Sequence, residues 1–346
     1  MSTPYDALLV VSFGGPEGMD EVMPFLRNVL RGRNVPESRV REVAHHYESF
    51  GGVSPLNGQN RALIAALRGE LEALGPPIPV YWGNRNWHPL LAETLQQMKQ
   101  DGIQHALAFF TSAYSSYSGC RQYREDIQRA QAAVGTGAPQ VDKLRVFYNH
   151  PGFIEPTTEN VQLALERIPP ERRGKARVAF TAHSIPTAMA ATCNYEKQLR
   201  EVCRLVAEKL GLQHWRLVYQ SRSGSPSQPW LEPDILKHLS DMKSEGIADV
   251  VVAPVGFISD HMEVLYDLDT EAFQHCQALG LNMIRAATVG THPAFIRMIR
   301  ELILERMEPG TVRRSLGSDS PGPDLCPLDC CLPGLGIPGP PSQAGR

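Results

Sequence analysis

Five carboxylates and one histidine are crowded into twelve positions directly after the apolar run 250–255. They are Asp260, His261, Glu263, Asp267, Asp269 and Glu271. If a helix begins near Asp260, the spacing of Glu263, Asp267 and Glu271 places three carboxylates in one row along a single face. Like charges at this spacing destabilise a helix, so a row that is not fully solvated requires a cation or shared protons. A solvated helix face is the alternative, against which stand the interleaved Val264, Leu265 and Leu268.

A histidine that follows a separate apolar strand is the second candidate for chemistry. His183 lies in "AHSIP" (182–186), directly behind the run 176–182. A lone histidine there is more often structural, but burial in an apolar cleft would disfavour the imidazolium and leave a neutral base at about pH 7. At the other segment, Asp260 and His261 offer the oxygen and imidazole ligands that suit Fe²⁺. A reaction that needs both proton removal and a divalent metal would use the two segments together.

Alternating apolar runs and amphipathic stretches indicate the elements that position these residues. The predicted strands lie at 7–13, 79–84, 105–111, 144–149, 176–182, 215–220, 249–255 and 283–288. Two clear helical patterns cover 60–74 and 195–211, and the second ends at a predicted C-cap, Gly211. Continuous apolar strands separated by helices indicate an α/β fold whose parallel sheets are covered on both faces.

Four predicted strands on each side of about residue 155 indicate two similar doubly wound (Rossmann-like) domains with a ligand cleft between them. The predicted divisions are an N-terminal lobe over 1–155, a C-terminal lobe over 156–312 and a Gly/Pro-rich tail with a cysteine cluster over 313–346. In open parallel sheets, ligands bind beyond the carboxyl ends of the strands, and the segments that leave those ends are polar here. One crevice lined by these segments is the predicted site.

Overall charge and the N-terminal segment argue against several classes of function. The chain has 346 residues and a formal net charge of −3, so no strong field favours nucleic acid or an anionic membrane surface. The apolar run 7–13 is too short to span a bilayer, and no basic segment typical of a signal peptide precedes it. We therefore expect a cytoplasmic protein without a transmembrane segment or nucleic-acid partner, and with at most peripheral membrane contact.

Three motifs relate the sequence to a known family. They are "HYESFGGVSPLNGQNRAL" (46–63), "TAHSIP" (181–186) and "PVGFISDHMEVLYDLD" (254–269). Together they resemble the ferrochelatase family, whose members insert ferrous iron into a porphyrin to make heme, and the resemblance runs from about residue 5 to 310. The motifs "GNRNW" (83–87) and "SSYSGCRQY" (115–123) are most similar to the actinobacterial type, whose members mostly use coproporphyrin III.

The resemblance implies two Rossmann-like domains that hold the porphyrin between them. His183 matches the family's invariant histidine and Glu263 its catalytic glutamate, so both would handle Fe²⁺ and protons. Glu263, Asp267 and Glu271 match its acidic ladder. We interpret His183 as a proton acceptor or metal-side base, while the ladder either removes protons or guides iron. Two alternatives stay open: a cleft-type tetrapyrrole-binding protein without catalysis, and a chelatase for another metal or tetrapyrrole.

The same resemblance suggests the substrate contacts. Phe13 stands where many bacillus-type members have a tyrosine beside the metal, so a phenolate ligand is not expected there. The other predicted contacts are Arg31, Arg33, Ser54, Tyr117 and Tyr123. The two arginines and Ser54 would meet the propionates of the porphyrin. The actinobacterial likeness favours coproporphyrin III, and protoporphyrin IX is the alternative.

Seven cysteines are present, an odd count that does not suggest a secreted disulfide framework. The family resemblance implies a 2Fe-2S cluster held by three tail cysteines, Cys326, Cys330 and Cys331, together with Cys120 from the body. A structural zinc would accept the same four thiolates and is the alternative. The tail composition cannot bury a core of its own, so such a centre would pin the tail to the body.

Overall fold

The computed structural model describes residues 4–32, 35–223 and 227–334, and in these ranges the chain forms two parallel β-sheets of four strands each. The strands are β1 (Ala7–Ser12), β2 (Val80–Asn84), β3 (His105–Phe110), β4 (Gln140–Lys143), β5 (Arg177–His183), β6 (Trp215–Gln220), β7 (Asp249–Ala253) and β8 (Asn282–Arg285). The first sheet has the order β2-β1-β3-β4 and the second β6-β5-β7-β8. The second sheet repeats the connectivity of the first, which confirms the predicted α/β fold with two similar doubly wound sheets.

Burial on both faces explains why the strands appear in the sequence as continuous apolar runs. All six residues of β1 and all five of β7 are buried. Helices cover both faces of each sheet, as parallel strands require. Because the strands within a sheet are parallel, the exits of β5, β6 and β7 lie at one edge of the second sheet. His183, the last residue of β5, lies at that edge beside Gln220, the last residue of β6.

The helices in the described part of the chain include several short ones and two π-helical turns. The α-helices are α1 (Met19–Val29), α2 (Glu37–Glu48), α3 (Pro55–Leu74), α4 (Leu91–Gln100), α5 (Gln122–Val134), α6 (Pro151–Glu166), α7 (Pro170–Arg173), α8 (Thr187–Ala190), α9 (Tyr195–Leu210), α10 (Ile235–Ser244), α11 (Met262–Leu265), α12 (Phe273–Leu279) and α13 (Pro293–Met307). The π turns are Tyr117–Arg121 and Asp267–Ala272. As predicted, α9 ends at Gly211, whose φ of +63° is the left-handed conformation that glycine adopts at low cost.

The strand predicted at 144–149 is wrong. The fourth strand is β4, four residues earlier, and 144–149 is buried outside it, with a bond of 2.8 Å from the Leu144 N–H to the Ala108 carbonyl of β3. Its apolar residues are instead covered by helices: the ring of Phe147 lies 5.8 Å from the rings of both Phe153 in α6 and Phe295 in α13. An apolar run indicates that a segment is buried, but it does not distinguish a strand from another buried segment.

The lobes share one core, because the largest apolar cluster contains residues of both sheets. The last helix, α13, packs against α3 of the first half and α6 of the second. The predicted lobe boundary near residue 155 lies inside α6, so a packed helix rather than a free linker connects the halves. Such a connection favours a cleft of defined width, and the division at 155/156 stays a prediction.

Candidate active site

Two residues from different strand exits meet at the edge of the second sheet. Nε2 of His183 lies 3.5 Å from Oε1 of Glu263, which is in α11 behind β7. The side chains are 30% and 46% exposed, respectively, so the pair lies at a surface that solvent and ligands can reach. The structure therefore brings together the two residues that the sequence singled out independently.

The backbone of Glu263 is held on both sides by buried or half-buried side chains. His261 is the N-cap of α11, and its Nδ1 accepts a hydrogen bond of 3.2 Å from the Glu263 N–H. The Gln220 amide donates to the Glu263 carbonyl at 2.7 Å. These bonds leave the carboxylate pointing toward His183 with little freedom in the backbone below it.

The acidic row does not lie on the regular helix expected from Asp260. Helix α11 spans only 262–265, and the wider π turn Asp267–Ala272 follows. A π turn is frequent at functional sites and rotates the residues that follow it relative to an α-helix. The carboxylates nevertheless remain electrostatic neighbours, since the charges of Glu263 and Glu271 both raise the pKa of Asp267.

The surroundings of His183 favour its charged form, whereas the sequence suggested a neutral base. Burial is the largest influence and lowers the His183 pKa, but the Glu263 carboxylate and the Ser184 carbonyl outweigh it and raise the pKa to about 9. For Glu263, burial raises the pKa, and the charges of His183 and His261 lower it to about 2. At neutral pH the pair is therefore an imidazolium beside a carboxylate.

The next carboxylate of the row titrates close to neutral pH. Burial, followed by the charges of Glu263 and Glu271, raises the pKa of Asp267 to about 7, while a hydrogen bond from Ser221 and the charge of His183 oppose the shift. Burial also raises the pKa of Glu271, whose side chain lies at the exposed end of the row. Asp267 can thus take up and release a proton under physiological conditions.

The opposite wall of the cleft comes from α2 and α3 of the first half. Burial and, to a smaller extent, the charge of Glu263 raise the pKa of Tyr47, which places this phenol near the carboxylate. The ring of His46 stacks on Tyr266. The Gln59 amide hydrogen-bonds both backbone groups of Asp260. Sequence reasoning missed His46 and Gln59, although both lie in the motif 46–63, because their partners are more than 200 positions away.

Comparison with known proteins agrees with this geometry. The ferrochelatase family model matches residues 5–307. The chain belongs to the ferrochelatase family. A ferrochelatase of Rhodopirellula baltica is 57% identical over 330 residues, with coverage of 95% of this chain and 94% of the relative. The coproporphyrin III ferrochelatase of Streptomyces coelicolor is 51% identical over 352 residues, covering 95% and 94%.

The fold alone is shared with a more distant solved structure, SirB from Bacillus subtilis with Fe³⁺. It is 15% identical and superposes with a TM-score of 0.51, over 86% of this chain and 94% of that one. The family assignment predicted from the three motifs is confirmed. Ferrochelatases are enzymes that insert ferrous iron into porphyrin in heme biosynthesis, so the alternative of a binding protein without catalysis is set aside. None of the helices described here has the length and apolar character needed to cross a membrane.

The predicted substrate contacts of this ferrochelatase fall into different environments. Phe13 is 37% exposed, with its ring 6.3 Å from that of Phe25. Arg31 is exposed at the turn after α1, while Arg33 lies outside the described residues. The Ser54 hydroxyl is the N-cap of α3 and accepts from the Leu56 N–H at 3.4 Å. Their contacts with substrate stay predictions.

The two predicted tyrosines are almost fully buried. Tyr117 is 4% exposed and its hydroxyl donates to Glu125 at 3.2 Å. Tyr123 is 6% exposed, and the guanidinium of Arg85 lies 4.7 Å above its ring. Both rings therefore belong to the packing behind the cleft in this structure, and only their exposed edges could meet a ligand.

The tail of the ferrochelatase chain lies against the body as far as residue 334, and its thiols are close to Cys120. A thiol hydrogen bond between Cys120 and Cys326 lowers the pKa of Cys326 and raises that of Cys120. Cys326 also hydrogen-bonds Cys330, and the sulfurs of Cys330 and Cys331 are 3.4 Å apart. All seven cysteines are free thiols. Across the described ranges, no three Cys, His, Asp or Glu side chains are already gathered into a metal-binding group.

The tail carries no regular helix or strand between 308 and 334 and is held by side chains of the body. Nη1 of Arg121 donates to the carbonyls of Leu328, at 2.6 Å, and Cys330, at 3.0 Å. The Thr192 hydroxyl donates to the Leu332 carbonyl at 2.6 Å. The body therefore organises a segment whose composition is too poor in apolar residues to fold alone.

Proposed function

We propose that this chain inserts Fe²⁺ into coproporphyrin III, with protoporphyrin IX as the alternative substrate. The observation that carries the mechanism is the His183–Glu263 pair, 3.5 Å apart at the strand exits, with a second, proton-exchanging carboxylate behind it. Several curated relatives, including those of Streptomyces coelicolor and Nocardia farcinica, are named coproporphyrin III ferrochelatases. A location in the cytoplasm fits the absence of a membrane-crossing helix from the described residues.

Metallation replaces two pyrrole protons by one Fe²⁺, so the site must accept protons near the metal. In the resting site His183 carries a proton and cannot accept another. We propose that Fe²⁺ binding at His183 and Glu263 expels this proton to Asp267, and from there to the exposed Glu271. When the iron passes from His183 to the ring nitrogens, the freed Nε2 accepts the pyrrole protons one after the other and passes each along the same row. Asp267 suits this step because its pKa of about 7 permits both uptake and release.

In this proposal, residues of the cleft walls orient the porphyrin and distort its ring. A flat macrocycle presents its nitrogens poorly to an incoming ion. Protein contacts at the ring periphery can use binding energy to bend the macrocycle, which makes its nitrogens more reactive toward Fe²⁺. We assign Phe13 to the ring face and Arg31, Arg33 and Ser54 to the propionates. Cationic partners suit propionates because charge-assisted hydrogen bonds are stronger than neutral ones.

The tail thiols are proposed to hold a 2Fe-2S cluster through Cys120, Cys326, Cys330 and Cys331. The donor set suits such a group, since four cysteine sulfurs are its usual ligands and the four thiols form a chain of neighbours. When bound, the cluster would supply a redox-active centre and fix the tail to the π turn that carries Cys120. A zinc ion is the alternative occupant.

The catalytic assignment is tested by anaerobic incubation with Fe²⁺ and either porphyrin, following conversion of the free-base spectrum to that of the metallated ring. Glu263→Gln should bind porphyrin and lose turnover by about a hundredfold or more. Glu208→Gln is the matched control, because Glu208 lies on the exposed face of α9 and, among the described residues, pairs with Arg204 alone. Turnover retained by Glu263→Gln would remove its assigned role, and faster turnover on protoporphyrin IX would reverse the choice of substrate.

The cluster is tested by colour and metal content. Protein purified without oxygen should absorb visible light and contain iron that Cys330→Ser loses, whereas Cys276→Ala, a change in the buried face of α12, should keep both. A colourless protein with bound zinc would replace the cluster by the alternative.

A further inference from the structure

Asp260 lies where the two halves of the chain meet, and both of its backbone groups bond to a side chain of the opposite half. Nε2 of Gln59, in α3, donates to the Asp260 carbonyl at 2.5 Å. Its Oε1 accepts from the Asp260 N–H at 2.8 Å. One amide side chain therefore clamps one residue at two points across 201 positions of sequence. Such a reciprocal pair restrains both the distance and the orientation of Asp260.

The carboxylate of Asp260 is fixed within its own half. Arg285, the last residue of β8, donates to its two oxygens at 3.1 and 3.0 Å, and the Thr288 hydroxyl donates at 3.0 Å. Nε of the same arginine donates to Asp269 in the π turn at 2.5 Å. The side chains of Arg285 and Asp260 are 19% and 26% exposed, so solvent competes only partly for these bonds.

The two anchor points of Arg285 bracket the proposed catalytic row. Asp260 precedes Glu263 by three residues, and Asp269 follows Asp267 by two. We propose that Gln59 and Arg285 are positioning residues, which together hold Asp260, and in the case of Arg285 also Asp269, so that Glu263 and Asp267 keep a fixed place relative to α3. The inference rests on the proposed role of Glu263, and it adds that the row is located by the opposite half of the protein as well as by its own sheet.

Loss of either anchor should displace the carboxylates slightly without removing them. Small displacements of reacting groups reduce the rate of the chemical step more than they reduce binding. Gln59→Met, which keeps the length of the side chain and removes both hydrogen bonds, should lower kcat by about tenfold to a hundredfold. Arg285→Leu should have an effect of the same order. Porphyrin affinity, measured by fluorescence quenching, should change by less than about threefold in both.

Conservative variants separate positioning from general damage. Arg285→Lys keeps the positive charge but lacks the planar guanidinium that reaches both oxygens of Asp260 together with Asp269, so it should recover only part of the lost kcat. Gln59→Glu keeps the acceptor for the Asp260 N–H and loses the donor, so it should not recover activity. The control is Arg200→Leu, which removes an exposed arginine paired with Glu196 on α9 and should leave kcat unchanged.

The decisive measurement is the double variant Gln59→Met/Arg285→Leu. Because both residues hold Asp260, the loss of kcat in the double variant should be smaller than the two single losses combined. Additive losses, or losses that vanish when rates are corrected for the folded fraction measured by circular dichroism, would overturn the inference. Wild-type kcat in both single variants, together with an inactive Glu263→Gln, would contradict the positioning role and leave the proposed mechanism intact. An active Glu263→Gln would contradict the proposed mechanism itself.

Discussion

The imidazole of His46 is stacked on the phenol of Tyr266, with ring centroids 3.6 Å apart and planes inclined by 13°. His46 belongs to α2 of the first half, and Tyr266 lies between α11 and the π turn of the second. The stack therefore spans the cleft within three residues of Glu263. We expect a porphyrin that enters or leaves on this side to separate the two rings.

Removing the stack should speed porphyrin exchange. Tyr266→Ala abolishes an aromatic contact that typically contributes about 0.5–1.5 kcal/mol, so the porphyrin off-rate in stopped-flow experiments should rise by about twofold to tenfold. Tyr266→Phe preserves the ring and should behave like the parent protein. An unchanged off-rate in Tyr266→Ala would show that the stack does not close the path of the substrate.

Asp267→Asn should alter the pH profile of turnover. The pKa of Asp267 is raised to about 7, chiefly by burial and then by the charges of Glu263 and Glu271. Below that pH the carboxyl is protonated and cannot accept a proton, so parent activity should fall as pH drops through about 7. Asparagine does not titrate, and its variant should be slower and lack this inflection. An inflection that persists in Asp267→Asn belongs to another group.

Glu263→Gln should lower the pKa of His183. With the carboxylate present, that pKa is raised to about 9; without it, burial, the largest single influence, acts with much less opposition. The His183 ring signal in NMR titrations should therefore move from an inflection near 9 toward or below the ordinary value of 6.5. The Glu208→Gln variant serves as the reference titration. A His183 pKa that stays near 9 would mean that Glu263 does not hold the imidazolium.

Arg121→Ala should release the tail. The side chain donates two hydrogen bonds to tail carbonyls, and a charged donor makes such bonds worth about 1.5 kcal/mol or more. Cleavage by thermolysin at the exposed Leu325 and Leu328 should become about tenfold faster. Arg129→Ala in α5, which follows the π turn that ends at Arg121, breaks a pairing with Asp126 and should leave the tail protected. Equal cleavage rates in the two variants would exclude Arg121 as the anchor.

Arg145→Met should destabilise the joint between the halves. Arg145 makes bonds of 2.7 and 2.8 Å to Glu305 in α13, and the side chains are 1% and 2% exposed. Removing one partner leaves a buried carboxylate, whose remaining contact is Arg313 at 3.5 Å, so urea unfolding should show a loss of about 3 kcal/mol. Lys237→Met breaks an exposed pair with Asp241 and should cost less than about 1 kcal/mol. Equal losses would contradict the prediction.

Sequence alone determined most of the strands of this protein, its family and the residues proposed for its site. Seven of the eight strands, the end of α9 at Gly211 and the strand exits that carry His183 and Glu263 follow from local apolar patterns and turn chemistry. Such patterns report which residues are buried and with what period, and motifs of several residues in order identify the family. These signals are local, so they can be read from the sequence without knowledge of the tertiary contacts.

Tertiary structure decided the positions and the electrostatic surroundings of these residues. The segment 144–149 is buried by α6 and α13 and does not form a strand, and the acidic row is broken by a π turn. The carboxylate of Glu263 raises the pKa of His183 and favours the imidazolium. Burial of the histidine alone would lower that pKa and favour the neutral ring. The Gln59–Asp260 clamp joins residues 201 positions apart. The charge state of a site residue depends on its burial and on its distances to charged and hydrogen-bonding groups. Packing brings those groups together from remote parts of the chain, so local sequence does not contain the distances.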